Sequence, residues 1–90
     1  MKRLDEFPVT FINDVDFEFI VPDNTEILGP ILVDDMIRLR ILQSQTPTSY
    51  VKRKFRLYKL SDVIEENIIK TYIGSIQFNG EEKHIFEMNI

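Results

Sequence analysis

Cysteine, alanine and tryptophan are absent from this 90-residue chain; glycine occurs three times, proline four times and histidine once. Without cysteine there is no disulfide, no thiolate nucleophile and no cysteine-ligated zinc or iron–sulfur cluster. The three glycines, Gly29, Gly74 and Gly80, stand apart, so no glycine-rich loop is present to cradle a phosphate. No apolar run approaches the ~20 residues of a membrane span. The basic start Met1-Lys2-Arg3 is not followed by a signal-peptide core. The expectation is a cytoplasmic protein with no membrane partner.

The single histidine narrows the chemistry further. Any nucleophile–base–orienter set would have to run through His84, and no serine is brought to it by spacing. His84 shares a strand face with Phe86 and Met88 and reads as a packed or surface residue. Paired carboxylates occur at Asp14/Asp16, Asp34/Asp35, Glu65/Glu66 and Glu81/Glu82, beside turns or a helix start, where acidic groups serve solubility and capping. None has the spacing of a calcium-binding loop. The sequence therefore reads as a non-enzyme with no cofactor and no metal.

What is present is β-forming. Thirteen isoleucines and seven phenylalanines supply a core for one domain over residues 1–90, although a chain this short buries only roughly two-thirds of its unfolded surface. Isoleucine-rich, alanine-free composition is typical of AT-rich genomes and hints at a phage, virus or AT-rich microbe. Period-two alternation recurs. Phe7, Val9 and Phe11 share one face, and Phe17, Phe19 and Val21 another, which suggests a first hairpin about Asn13-Asp14. Thr25 to Leu28 reads as a short strand stopped by Gly29-Pro30, with Ile31 to Val33 beginning or approaching the next.

In Met36 to Leu42, Ile37, Leu39 and Ile41 alternate with Arg38 and Arg40. Asp34 or Asp35 would cap a helix there, but the alternation favours a strand. Tyr50 to Leu60 is a long strand with Val51, Phe55 and Leu57 on one face and Lys52, Lys54, Arg56 and Tyr58 on the other. Asp62, Glu65 and the spacing of Val63, Ile64, Ile68 and Tyr72 predict one helix over about residues 62–72. Asn79-Gly80 predicts a C-terminal hairpin. The fold class expected is β-rich α+β: a small antiparallel sheet or partly open barrel of about six strands, with one helix and a C-terminal hairpin.

Charge order is the lead to function. Residues 1–35 carry nine acidic and two basic groups; residues 36–61 carry seven basic groups and no acid; residues 62–90 carry six acidic and two basic groups. The net charge of −4 thus conceals a basic central third. If residues 36–42 and 50–60 pair across the 43–49 loop, then Arg38, Arg40, Lys52, Lys54 and Arg56 form one stripe with Tyr58.

Three outcomes are open for that stripe. Acidic residues such as Asp16 and Glu18 balance it within the fold; it binds an acidic protein; or it binds single-stranded nucleic acid, with Tyr50 and Tyr58 stacking on bases. The preferred expectation is a small non-enzymatic protein-interaction module, an accessory subunit or phage- or viral-type modulator of a larger protein. The alternative is a nucleic-acid-binding β-module. A β-rich domain this small also leaves edge strands, so homo-oligomerisation through an edge is a further expectation.

The stretch Val9-Thr10-Phe11-Ile12 with Gly29-Pro30-Ile31-Leu32-Val33-Asp34-Asp35-Met36-Ile37-Arg38-Leu39 is similar to the small β-domain of archaeal GINS subunits, where a strand pair is joined around a Gly-Pro and an acidic turn. The similarity covers about a third of the chain. The helix and closing strand that follow in that family are replaced here by a loop and the basic strand, so it assigns no family.

Overall fold

The computed structural model describes all residues 1–90. It contains seven strands: β1 (Lys2–Pro8), β2 (Asp16–Pro22), β3 (Glu26–Val33), β4 (Met36–Ser44), β5 (Tyr50–Lys59), β6 (Ile69–Phe78) and β7 (Glu81–Met88). They form two antiparallel sheets, a three-stranded one in the order β1-β4-β3 and a four-stranded one in the order β2-β5-β7-β6. The sheets face each other and do not close into a barrel.

The core lies between them. Ile37 and Leu39 of β4 meet Phe17 of β2, Phe55 and Leu57 of β5 and Ile85 of β7, with Val9 alongside. Phe17 and Phe55 are cross-strand partners, stacked at 5.2 Å between centroids. Phe19 meets both rings edge-on, and Phe7 of β1 reaches Phe19 at 5.3 Å, tying the two sheets together at that side. At the opposite side the sheets almost touch. A Cβ built on Gly74 of β6 would stand 2.9 Å from Cδ of Pro30 on β3.

Two reverse turns are as tight as hairpins allow. Asn79 and Gly80 have φ of 54° and 77°, and Asp34 and Asp35 have 51° and 61°. Two central residues at positive φ give the turn whose twist matches the flanking strands. The C-terminal hairpin is thus present as expected. Asp34-Asp35 is a turn residue pair and not a helix cap, and Gly29-Pro30 does not stop β3, which passes through it on a bulge at Leu28.

Three expectations are corrected. The strands number seven rather than about six. Residues 7–12 and 16–21 do not form a hairpin, because β1 and β2 belong to different sheets. The helix over 62–72 does not form; only Glu66–Ile68 makes a single 3₁₀ turn. The reason for the last is geometric. β5 and β6 both run antiparallel to β7, so residues 60–68 must carry the chain from the level of Lys83 back to that of Met88. This is about 17 Å along the strand and about 10 Å sideways, whereas nine helical residues span only about 14 Å. Helical residues 69–72 would also leave the side of β7 away from β5 unpaired from Phe86 to Met88. Asp62 serves a turn instead, its carboxylate accepting from the Lys59 N–H at 2.9 Å.

Candidate functional site

The two basic segments are both extended, but they are not neighbours. β4 lies at the centre of one sheet and β5 in the other, joined by a crossing at 45–49. Since Ile37, Leu39, Phe55 and Leu57 all point into the common core, the residues alternating with them point away from it on opposite sides of the molecule. Arg38 and Arg40 stand on the outer face of β1-β4-β3. Lys52, Lys54, Arg56 and Tyr58 stand on the outer face of β2-β5-β7-β6. The single stripe is therefore corrected to two separate groups.

On the four-stranded face most of the charge is balanced within the fold. Asp16 lies opposite Arg56 and accepts from its Nε at 2.6 Å and its Nη2 at 3.3 Å. That bond outweighs burial and, with Asn13, holds the Asp16 carboxyl below the usual carboxylate range; it raises Arg56 in turn. Lys52 Nζ is 3.7 Å from Glu18. Lys54, between them, makes no ion pair. Tyr58 is only 8% exposed and meets Phe86 edge-on at 5.5 Å, so its ring face is not available to a base.

This face also holds a cluster that sequence reasoning missed. Tyr72, opposite Phe86, packs against it at 5.1 Å, and its hydroxyl lies 2.9 Å from His84 Nδ1. His84 Nε2 lies 2.8 Å from Glu82. With Nε2–H donating to the carboxylate, Nδ1 is left to accept from the Tyr72 hydroxyl. The arrangement fixes the rings of Tyr72 and His84 on the sheet. Assigning Tyr72 to a helix hid it, although the shared parity of His84 and Phe86 was legible. No group of three His, Asp or Glu side chains is placed to hold a metal ion.

Between the sheets, at the end formed by the β2–β3 turn, an ion pair is buried. Arg53 donates from Nε to Glu87 Oε2 at 2.8 Å and from Nη2 to Glu87 Oε1 at 2.6 Å, and its Nη1 donates to the Thr25 carbonyl. Lys70 Nζ approaches Glu87 at 3.7 Å. Both Glu87 oxygens and all three Arg53 nitrogens have partners within the fold, which marks the pair as structural support, while the Lys70 side chain is exposed.

The outer face of β1-β4-β3 is different in kind. Following the register, Leu4 lies opposite Leu42, Pro8 and Ile31 flank Arg38, and Val33 lies opposite Met36. Leu4 is 62% and Met36 55% exposed. Arg40 donates to Glu6 across the strands at 3.1 Å. Arg38 makes no ion pair, and its Nε is buried without a partner. The face thus combines apolar side chains with one balanced and one unbalanced arginine. Alternation in β4 revealed the arginines; the apolar companions became visible only once β1 and β3 were known to flank it.

Comparison with known proteins adds no functional information: no protein-family model, no curated protein and no solved structure matches the chain. No helix is long and apolar enough to cross a membrane.

Proposed function

We propose that the chain is a non-enzymatic protein-interaction module, an accessory subunit or phage- or viral-type modulator, that docks on a larger protein through the outer face of β1-β4-β3. The observation that carries this reading is the pairing of exposed Leu4 and Met36 with half-buried Leu42, Ile31 and Val33 around Arg38 and Arg40 on one outer face. Apolar residues with methionine and arginine are what the centre of a protein–protein interface favours. Arg38, without a carboxylate of its own, selects the partner's chemistry: an apolar surface that presents an acidic side chain.

The test compares capture from lysate by the unaltered protein with capture by Met36→Asp and by Arg38→Glu. Each variant should keep its circular-dichroism spectrum and lose the captured partner by about tenfold or more in affinity, as central interface residues do. Retention of the same partner by both variants would remove this face from the reading.

The nucleic-acid alternative is supported by Tyr72, Phe86 and Lys54 on the other outer face. Arg56 and Lys52 are already paired there, which leaves one cation for phosphate. Binding to single-stranded DNA is then expected with a log–log salt slope no steeper than about −0.7, where five phosphate contacts would give about −3.5. A slope near the larger value would favour nucleic acid over a protein partner.

A further inference from the structure

The free edge of β1 is complementary to itself. In the pairing of β1 with β4, Val9 N–H donates to Ile37 O and Gln45 N–H donates to Met1 O. Hydrogen-bonded and non-hydrogen-bonded pairs alternate along an antiparallel ladder, so the odd-numbered residues of β1 spend their backbone groups on β4. The N–H and C=O groups of Lys2, Leu4 and Glu6 point the other way, into solvent. Pro8, the next even residue, has no N–H to present there and ends the donor row.

The side chains of this edge are arranged as a charge palindrome. Centred on Leu4, the run Lys2-Arg3-Leu4-Asp5-Glu6 reads cation, cation, apolar, anion, anion. When such a strand meets a second copy antiparallel about a two-fold axis at Leu4, Lys2 falls opposite Glu6, Arg3 opposite Asp5 and Leu4 opposite Leu4. The two Leu4 residues then exchange both backbone hydrogen bonds, as do both Lys2–Glu6 pairs. Within one chain Arg3 Nε reaches Asp5 at 2.7 Å, Gln43 Nε2 donates to Asp5 at 2.6 Å, Arg40 Nε reaches Glu6 at 3.1 Å and Lys2 Nζ reaches Asn24 O at 3.5 Å.

The other edges do not offer this. β3 and β6 cover each other, with Gly74 against Pro30. β2 carries only acidic charge, at Asp16 and Glu18, and an antiparallel copy of it brings no cation to either. On β1 the palindrome also continues an apolar row: Leu4 already lies opposite Leu42, so the pair would set Leu42, Leu4 and their two copies side by side across the outer face.

We infer that β1 is a homodimerisation edge, on which a second copy of this chain adds antiparallel in the Leu4-centred register to make one six-stranded sheet, β3-β4-β1 continued by its symmetry mate. Such an interface is isologous and closes at two copies. It is independent of whether the outer face binds another protein.

Sedimentation of the unaltered chain should show mass rising with concentration from 10.7 kDa towards twice that value. Leu4→Pro removes an N–H that β4 does not use and should hold the mass at the monomer value throughout. Lys2→Glu/Arg3→Glu and Asp5→Lys/Glu6→Lys should each be monomeric alone and dimerise when mixed, because only the mixed pair restores opposite charges at all four positions. In the unaltered chain, amide exchange at Lys2, Leu4 and Glu6 should slow with rising concentration while the β2 edge stays unchanged. Monomer mass up to millimolar concentration, a dimer that survives Leu4→Pro, or charge variants that do not recover on mixing would each overturn the inference.

Discussion

Arg53 and Glu87 show how a single pair of residues decides what the core tolerates. Burial works to raise the Glu87 carboxyl, but the hydrogen bonds and charge of Arg53, with Lys70, bring it below the usual glutamate value. The folded protein therefore holds that proton less tightly than the unfolded chain does. The stabilisation is complete above the ordinary glutamate range and is lost as pH falls through the lower, folded value. Glu87→Gln is expected to cost about 2 kcal/mol at neutral pH, since it removes the counter-charge of the part-buried Arg53. Denaturant titration should show this loss, together with a shallower fall in stability below about pH 4 than the unaltered protein has. Arg53 shares the parity of Val51, Phe55 and Leu57 along β5 and so falls on the apolar side. Its partner was not legible, because Glu87 meets it only once β7 is laid beside β5.

At the scale of elements, local signals were legible and partnerships were not. Asn79-Gly80 announced its hairpin, and alternation announced β2, β4 and β5, because those signals are carried by neighbouring residues. The pairing of β4 with β1, and of β5 with β2, depends on which faces bury each other, and the 43–49 loop reads equally well as a hairpin or a crossing. β6 was obscured by its composition. Ile64, Ile68 and Tyr72 satisfy helical spacing, yet Val63, Ile64, Ile68, Ile69, Thr71 and Ile73 are all β-branched, and that excess was the better guide. The seam between β3 and β6 yields a prediction at this scale. Gly74→Ala puts a methyl group against the Pro30 ring, which cannot swing aside as a flexible side chain would. With φ at 157° a Cβ also strains the backbone, so we expect a loss of about 2 kcal/mol, measured by thermal or chemical denaturation, and only partial recovery in Gly74→Ala/Pro30→Ala.

The molecule as a whole is built from distant partners. Only β3–β4 and β6–β7 are hairpins; β1 waits for β4, β2 for β5, and β5 for β7. Folding dominated by such pairings takes milliseconds to seconds in domains of about this size, and stopped-flow refolding should fall in that range. A peptide of residues 1–35 should give the poorly dispersed amide spectrum of an unfolded chain, since it lacks both strands that β1 and β2 require. During synthesis, the crossing of the chain from sheet to sheet means that Phe7, Phe11, Phe17 and Phe19 leave the ribosome well before anything exists to cover them. The nine carboxylates among those first 35 residues keep that waiting segment dispersed, and a product truncated ahead of Tyr50 would display its phenylalanines to every chaperone and protease it meets.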